Sequence, residues 1–414
     1  MKKLVALLLA LTLCIGLCAC GATAEKPAEE TPATTGETET PATAAKDIKV
    51  GFIFLHDENS TYDLNFINAA KAAAAELGLS DDQVMMKTNI AESQACYDAA
   101  AELVDAGCDL VITDSFGHES FALAAAKDFP EVQFVSCTGV KAHTEGLSNF
   151  HNAFASIYEG RYLAGVAAGL KLNEMIENGD ITAEEAKMGY VGAYLYAEVK
   201  SGYTSFFLGA RSICPSVTME VTFTSSWYDE ALEKEAANKL INNGCVLISQ
   251  HADSMGAPTA CETAGVPNVS YNGSTVAACP NTFIVSSRID WTPFFVYAIN
   301  CVTAGEDIGY DWTGTLATGS VVLTDVNEAA AAAGTADKIA EVMKSLEDGS
   351  LKVFDTATFT VNGETLTTYL ADVDDLGDYV GETEVISDGV FLESFYRSAP
   401  YFDLDIDGIT NLDA

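Results

Sequence analysis

Three side chains that together can perform hydrolysis lie within one short loop: His251, Asp253 and Ser254. They follow the apolar run "CVLISQ", residues 245–250. A catalytic triad needs a nucleophile, a base and an orienting acid that converge from separate elements. Neighbours in one extended loop project in different directions, and the chain has no GxSxG motif. We therefore expect no enzymatic activity and interpret Asp253, with His251 and Ser254, as polar contacts to a ligand. Alternatively, Ser254 caps the following helix.

The residue patterns do not indicate a metal site or a phosphate-binding loop. The segment "DLDIDG" (403–408) begins like a calcium loop, but the twelfth position of such a loop must supply a bidentate acid, and here it is Ala414. The five histidines lack the paired spacing of a zinc site. Neither a GxxxxGK loop nor a strand-linked GxGxxG turn occurs. We expect no metal ion and no cofactor.

Strand-like and helix-like segments alternate from Ile48 onward, and these elements must position the loop residues. Runs rich in apolar side chains predict strands over residues 48–55, 84–89, 108–115, 132–139 and 147–154, and again over 187–194, 217–226, 245–250 and 266–273. Longer helical patterns, several of which end at glycine, separate the runs. This alternation predicts βαβ units, parallel sheets and an α/β fold of two doubly wound lobes.

We predict the following division of the chain. Residues 47–157 and 286–325 form an N-terminal lobe, and residues 158–285 and 326–414 form a C-terminal lobe. The segment from about residue 350 onward is expected to be an appendage of the second lobe. Asn362-Gly363 predicts a hairpin turn between two short strands there.

The crevice beyond the carboxyl ends of parallel strands is the natural ligand site of such a fold. The loops at those ends combine aromatic rings with hydrogen-bonding groups, as expected of a site for a flat polar ligand. Asp114 follows the third predicted strand and is one candidate. Polar loop residues also cap helices, and Asp229 is a good N-cap candidate. Caps do not require aromatic rings, so Tyr62, Tyr196 and Trp227 favour a binding site.

The N-terminal sequence and the net charge indicate where the protein is located and which partners it can have. Lys2, Lys3 and an apolar stretch precede Cys18-Ala19-Cys20-Gly21, which resembles a bacterial lipoprotein signal with Cys20 as the lipidated residue. An ordinary secretory signal is the alternative. Residues 21–46 predict a flexible tether, so we expect an extracytoplasmic protein anchored by lipid to the cell membrane. The net charge of −39 argues against nucleic-acid binding.

Eight cysteines lie beyond this signal, at positions 96, 108, 137, 214, 245, 261, 279 and 301. An even number in an extracellular chain permits disulfides. Their wide spacing, the absence of CxxC and their places in apolar runs favour mostly free, buried thiols.

Five segments together resemble the basic membrane protein family, the substrate-binding lipoproteins of certain ABC importers. They are "KVGFIF", "YEGRYLAGVAAG", "GYVGAY" with "EVKSGYTSFFLGAR", "LISQHADS" and "VSYNGS". The resemblance implies a periplasmic-binding-protein type I fold with a hinge and a central ligand cleft. It also implies a monomer that captures a purine nucleoside or nucleobase by hinge closure and delivers it to ABC permease subunits. A sensor for a membrane signalling receptor and a binder of a sugar-like ligand stay open as alternatives.

Carried over position by position, the resemblance also implies the ligand contacts. Tyr62 is the first stacking candidate, with Asp63 beside it, and Arg288 and Trp291 occupy the segment where the chain should cross back to the first lobe. With Asp114 from the loop pattern, the complete set of predicted ligand-binding residues is Tyr62, Asp63, Asp114, Tyr196, Glu198, Trp227, Asp253, Asn272, Arg288 and Trp291.

Overall fold

The structure is a computed structural model that describes residues 48–375, 377 and 380–413. The predicted lipoprotein signal with its Cys20, and the predicted tether over residues 21–46, lie outside the described residues. Within the part that is described, no helix combines the length and the apolar character needed to cross a membrane.

Six parallel strands form the first sheet: β1 (Val50–Ile53), β2 (Val84–Lys87), β3 (Leu110–Thr113), β4 (Gln133–Cys137), β5 (Phe150–Ala155) and β11 (Asp311–Gly314). Their order across the sheet is β2-β1-β3-β4-β5-β11. Strands β1 and β3 are buried along their whole length, as expected when helices cover both faces of a parallel sheet.

Seven strands form the second sheet: β6 (Lys187–Gly192), β7 (Thr218–Phe223), β8 (Leu247–His251), β9 (Asn268–Tyr271), β10 (Phe283–Ile289), β12 (Val321–Leu323) and β17 (Ile409–Asn411). Their order is β12-β10-β9-β8-β6-β7-β17, and only β12 is antiparallel to its neighbour. Two small antiparallel ribbons lie in the C-terminal segment: β13 (Leu370–Ala371) with β14 (Thr383–Glu384), and β15 (Ile386–Ser387) with β16 (Val390–Phe391).

The α-helices connect these strands, and capping residues mark where they begin and end. Ser60 caps the first of them through the Asp63 amide, and Gly78 ends it in the left-handed conformation. Asp229 accepts hydrogen bonds from two backbone amides in the first turn of the seventh helix, which confirms the predicted N-cap. The helices are α1 (Thr61–Leu77), α2 (Gln94–Asp105), α3 (Glu119–Asp128), α4 (Ala142–Glu145), α5 (Ile157–Asn178), α6 (Ala197–Ile213), α7 (Glu230–Asn242), α8 (Gly256–Ala264), α9 (Thr292–Ala304) and α10 (Thr335–Glu347).

The chain passes between the two sheets at three places: between β5 and α5, between β10 and α9, and between β11 and β12. The segment 286–325, predicted to belong to the first lobe as a whole, is therefore divided. Its β10 residues and β12 pair within the second sheet, whereas α9 packs on α1 and β11 joins the first sheet. Strand pairing decides this division, and no local sequence signal marks which sheet a strand joins.

Helices α5 and α6 pack with their backbones in close approach. A Cβ atom at Gly165 would lie 2.0 Å from the Phe206 carbonyl oxygen, and one at Gly209 would lie 2.0 Å from the Tyr162 carbonyl oxygen. Only glycine permits this contact. Gly165 and Gly169 of "YEGRYLAGVAAG" therefore serve the packing of α5 on α6, whereas Gly160 faces Val321 and Ser287 of the second sheet.

The C-terminal segment is more than an appendage of one lobe. Its strand β17 extends the second sheet beside β7, but Ser398 also donates a 2.7 Å hydrogen bond to Asp311 on β11 of the first sheet. The predicted turn is present, with Asn362 and Gly363 both at positive φ. A single bridge between Val361 and Glu364 flanks it in place of the two predicted strands, and Asp407 accepts the Gly363 amide.

The eight cysteines among the described residues are all buried and free, which confirms the prediction of free thiols. Burial raises the pKa of Cys96 to about 12 and that of Cys108 to about 11. These thiols are therefore protonated and pack as small apolar side chains.

Candidate functional site

The ligand crevice lies where the direction of strand connection reverses in each sheet. This reversal falls between β1 and β3 in the first sheet and between β6 and β8 in the second. Adjacent loops leave in opposite directions at such a point and open a crevice at the carboxyl ends. The loops that follow β1, β3 and β8 line one pocket, and the helix α6 that follows β6 contributes Glu198 from its first turn.

This pocket contains about 380 Å³ of space between its lining atoms, part of it open to solvent. Aromatic rings, carboxylates and imidazoles together form its walls. The lining residues are Leu55, His56, Tyr62, Asp63, Ser115, Phe116, Thr138, Glu198, Trp227, His251, Asp253 and Tyr271.

Five of the ten predicted binding residues line the pocket: Tyr62, Asp63, Glu198, Trp227 and Asp253. The structure thus brings together side chains from α1, α6 and the loops that follow β7 and β8. Residues from both lobes face one another across this space, although they are up to 191 positions apart in the chain, as Tyr62 and Asp253 are.

Tyr62 and Asp63 form the wall that the first turn of α1 provides. The Tyr62 hydroxyl donates a 2.7 Å hydrogen bond to the Asp114 carbonyl oxygen, which fixes the ring. Burial raises the pKa of Asp63, but hydrogen bonds from His56 and Ser60 outweigh it, and the net pKa lies below the ordinary value. Asp63 is therefore a carboxylate whose oxygens shape the loop after β1.

Asp114 lies behind this wall and does not line the pocket. The Oδ1 atom of Asp114 accepts a hydrogen bond from the Leu55 amide at 3.0 Å. The Oδ2 atom is buried and receives no hydrogen bond from a donor. Burial and the neighbouring Asp63 raise its pKa well above the ordinary value. A protonated Asp114 that donates to Asp63 satisfies both groups, since two carboxylates in contact cannot both ionise easily.

Glu198 and His251 meet on the wall of the second lobe. The His251 Nε2 atom lies 3.4 Å from a Glu198 oxygen, and the imidazole packs 4.5 Å from the Tyr271 ring centre. Burial lowers the pKa of His251, although Glu198 opposes this effect. A neutral imidazole thus offers one donor and one acceptor beside the pocket.

Asp253 and Asn272 are joined across the ends of β8 and β9. The Asn272 side chain donates a 3.0 Å hydrogen bond to an Asp253 carboxyl oxygen. Burial raises the pKa of Asp253 well above its ordinary value, and Asp63 and Glu233 add to the effect. The carboxyl is able to hold a proton and to donate as well as accept. Asn272 itself is buried behind Asp253 and does not line the pocket.

The three triad-like residues have different partners. His251 contacts Glu198, Asp253 accepts from Asn272, and the Ser254 hydroxyl accepts the amide of Gly256, the first residue of α8. These contacts form no proton relay. They also support the alternative interpretation of Ser254, whose hydroxyl satisfies a free amide at a helix start.

An aromatic cluster surrounds the mouth of the pocket. The rings of Tyr194 and Tyr196 stack with centres 5.2 Å apart, and Trp227 lies 5.1 Å from Tyr194. Phe116 of the first lobe approaches Tyr196 to 5.3 Å. Tyr196 therefore lies at the lip of the pocket, 43% exposed, and Trp227 lines its interior.

Arg288 and Trp291 lie away from the pocket. Arg288 lies on β10 beside β12 and pairs with Asp290 at 3.6 Å. Trp291 is only 1% exposed and stacks on Phe66 at 4.4 Å within the core of the first lobe. The chain does cross between the lobes here, as predicted, but the large indole ring is buried to fill the core.

His251, interpreted from the sequence as a polar contact beside Asp253, lines the pocket. Six further lining residues were not predicted: Leu55, His56, Ser115, Phe116, Thr138 and Tyr271. Each follows or ends a strand of the two sheets, so position at a carboxyl end was the available signal. Thr138 adds a backbone signal that only the structure reveals. Its φ of +68° is uncommon for a β-branched residue, and such strain clusters at binding sites.

The pocket is acidic in its own right. Three carboxyl groups line it, whereas no lysine or arginine does so among the described residues. Arg161 is the nearest cation behind it, 5.1 Å from the Tyr271 ring centre, and is fully buried. Its guanidinium donates to groups on four neighbouring strands: Tyr190, Ser249, Ser270 and Ser287. Arg161 thus holds the second sheet together through its two terminal nitrogens, while its Nε atom is buried without a hydrogen-bond partner.

A two-lobed fold with a polar and aromatic cleft at both switch points defines a solute-binding protein. The chain belongs to the family described as ABC transporter substrate-binding protein PnrA-like, whose model matches residues 55–351. ABC substrate-binding proteins are extracytoplasmic transport proteins that bind a small ligand and interact with permease subunits. The family and the fold class predicted from the sequence are confirmed.

Two relatives illustrate the family. A purine-binding protein of Brucella abortus is 30% identical over 267 residues, which are 64% of this chain and 71% of that protein. A putative ABC transporter glucose-binding protein of Haloferax volcanii is 34% identical over 187 residues, 45% of this chain and 44% of that protein. The chain thus matches less than half the length of the second relative.

Solved structures agree with the architecture. An ABC solute-binding protein from Aeropyrum pernix aligns with a TM-score of 0.61 at 18% identity, covering 77% of this chain and 94% of that one. One from Conexibacter woesei aligns with a TM-score of 0.58 at 20% identity, covering 74% and 98%. At such identities the likeness establishes the periplasmic-binding-protein type I fold and nothing about the ligand.

Proposed function

We propose that the pocket binds a purine nucleoside or nucleobase. The observation that carries this proposal is the combination of aromatic walls with three carboxyl groups, with no lysine or arginine lining the pocket in the part of the chain that the structure describes. Flat rings stack on aromatic side chains, and carboxylates accept hydrogen bonds from ring N–H groups and from ribose hydroxyls. The purine-binding protein of Brucella abortus, 30% identical over 267 residues, supports the same ligand class.

Each pocket residue has a role in this proposal. Tyr62 and Trp227 stack on the base from opposite lobes, and Tyr196 covers the mouth. Glu198 and Asp253 bind the polar edge of the ligand. Three further predicted residues act indirectly, since Asp114 anchors Tyr62, Asn272 anchors Asp253, and Asp63 holds the loop after β1 through the His56 amide. Arg288 and Trp291 have no role at the pocket in this proposal.

The ligand is captured by closure of the lobes about the three connections between them. Solute-binding proteins of this architecture close like a hinge, and the closed form is the one that a permease recognises. In this proposal a single copy delivers the ligand to the permease, and a lipid on Cys20 keeps it at the cell membrane.

A sugar is the second candidate ligand. The Haloferax volcanii relative is named for glucose, and carboxylates with aromatic rings also suit sugar hydroxyls and the apolar face of a pyranose. A sugar uses the acidic groups of the pocket but gains less from two opposed flat aromatic walls than a purine ring does. This difference favours the purine.

Calorimetry with a ligand panel tests the proposal. The purified protein is unfolded and refolded to release bound molecules, then titrated with adenosine, guanosine, inosine, adenine, hypoxanthine and glucose. We expect saturable binding of at least one purine compound with a dissociation constant in the micromolar range or below. Binding of glucose without any purine would replace the purine proposal with the sugar alternative.

A further inference from the structure

Three hydrogen bonds join the two lobes directly at the edge of the pocket. The Thr61 amide and hydroxyl both donate to the Asp253 carbonyl oxygen, at 3.2 Å and 3.1 Å. The Asn65 side-chain amide donates to the Asn272 carbonyl oxygen at 2.9 Å. All donors belong to α1 of the first lobe, and both acceptors lie just beyond strands of the second sheet.

The donors and acceptors are preorganised on their own lobes. Thr61 and Asn65 are one helical turn apart and therefore share a face of α1. On the other side, the Asn272 side chain is bonded to the Asp253 carboxyl group, which keeps the two carbonyls in register. A Cβ atom at Gly273 would lie 3.3 Å from a Thr61 methyl carbon, so the glycine allows α1 to approach.

We propose that Thr61 and Asn65, with the carbonyls of Asp253 and Asn272, form a latch that holds the cleft closed, and that Asn65 is a positioning residue for ligand capture. All four groups belong to the protein, so the latch stabilises the closed conformation whichever ligand is bound. Opening must break these bonds, because each one joins groups on different lobes.

The latch has a kinetic consequence. An interaction that exists only in the closed form adds to the barrier for release and leaves the encounter with the open form unchanged. Loss of one such hydrogen bond should raise the dissociation rate about three- to tenfold, with a small effect on the association rate. The same loss should shift the unliganded protein toward the open form.

Asn65→Asp tests the latch with little change in size. The substitution replaces the donor with a carboxylate oxygen, which faces the Asn272 carbonyl oxygen and repels it. Asn173→Asp is the matched control. Asn173 on α5 also donates to a backbone carbonyl, that of Ile213, at 2.9 Å, but this bond lies within the second lobe. Asn65→Ala removes the donor without adding charge.

Small-angle X-ray scattering of the unliganded proteins measures the opening. We expect larger radii of gyration for Asn65→Asp and Asn65→Ala than for the wild type and Asn173→Asp. Equal radii for all four proteins, or the same expansion in Asn173→Asp, would overturn the latch. This comparison involves no ligand, so failure of the purine proposal leaves it intact.

Stopped-flow measurement with adenosine provides the second readout, if the panel shows that adenosine binds. The dissociation rate should rise in both Asn65 variants and stay at the wild-type value in Asn173→Asp. A fall in the association rate alone, with unchanged dissociation, would contradict the proposed role of Asn65. Equal thermal unfolding temperatures of Asn65→Ala and the wild type verify that the effect is not a loss of folding.

Discussion

Asp63 and Asp114 are neighbouring carboxyl groups whose surroundings push their pKa values in opposite directions. Asp63 receives hydrogen bonds from the His56 amide and the Ser60 hydroxyl, and its pKa lies below the ordinary value. Burial and Asp63 itself raise the pKa of Asp114. Asp114 also accepts the Leu55 amide and, through its carbonyl oxygen, the Tyr62 hydroxyl, so it helps to order the first-lobe wall.

Asp114→Asn should stabilise the protein at neutral pH. An acid whose pKa is higher in the folded chain binds more protons there, so stability falls as pH rises above the unfolded pKa of about 3.9. The amide needs no proton, and its NH₂ group can donate to Asp63. We expect a gain of about 1–3 kcal/mol in the free energy of unfolding near pH 7. Denaturant titrations check this value.

The gain from Asp114→Asn should shrink toward pH 4, where the unfolded wild-type carboxyl is protonated as well. Asp81→Asn, an exposed substitution in the same lobe, is the control and should change stability little at either pH. A gain that is independent of pH would contradict a protonated Asp114.

Trp227→Ala should weaken purine binding by about 1–3 kcal/mol, the range for loss of one base–aromatic stack. The indole lines the pocket and packs on Tyr194, so its loss removes one wall while the fold persists. Calorimetry gives the affinity. Tyr310→Ala, which removes an exposed ring outside the pocket, should leave the affinity unchanged. Wild-type affinity in Trp227→Ala would argue against stacking.

Helices α5 and α6 show how one element constrains another. Arg161 on α5 ties four strands of the second sheet together, while glycines on both helices let their backbones touch. The "YEGRYLAGVAAG" motif is therefore structural, and it supports the second-lobe wall from behind. This role differs from that of the polar loop residues, which face the ligand crevice.

Gly165→Ala should destabilise the protein even though alanine is the better helix former. The added Cβ would lie 2.0 Å from the Phe206 carbonyl oxygen, so α6 must move. Overpacking costs about 1–3 kcal/mol, whereas helix propensity alone predicts a gain of about 1 kcal/mol. The sign of the change in thermal denaturation therefore decides between the two effects. A higher melting temperature would show that the helices separate easily.

The whole molecule is strongly acidic, and the pocket shares that character. The net charge is −39, and the pocket is lined by carboxyl groups without a cation among the described residues. A phosphate group is therefore repelled by the surface field during approach and again inside the cleft. From this combination we expect the pocket to favour ligands without phosphate.

Adenosine should therefore bind at least about tenfold more tightly than adenosine monophosphate, if adenosine is a ligand. The difference should narrow at high salt, because ions screen the repulsion from exposed charges. Parallel titrations at low and high ionic strength measure both effects. Equal affinity for adenosine and adenosine monophosphate would mean that the phosphate of the bound nucleotide lies outside the cleft, away from its acidic groups.

The fold class, the parallel sheets and several pocket residues could be predicted from the sequence because they depend on local signals. Apolar runs, glycine stops and polar loop ends reveal strands, helices and carboxyl ends one segment at a time. Tyr62, Trp227 and Asp253 were identified this way, with help from the family resemblance. Position in the chain cannot separate pocket from core, so Trp291, carried over from the family resemblance, was assigned to the site although it fills the first-lobe core.

Tertiary structure alone decided which distant groups meet. The division of residues 286–325 between the sheets follows from strand pairing, and the latch joins Asn65 to a carbonyl 207 positions away. The opposed pKa shifts of Asp63 and Asp114 depend on burial and on a contact between α1 and the loop after β3. Backbone hydrogen bonds, packing and desolvation act through space, so a linear pattern specifies the elements but not their contacts.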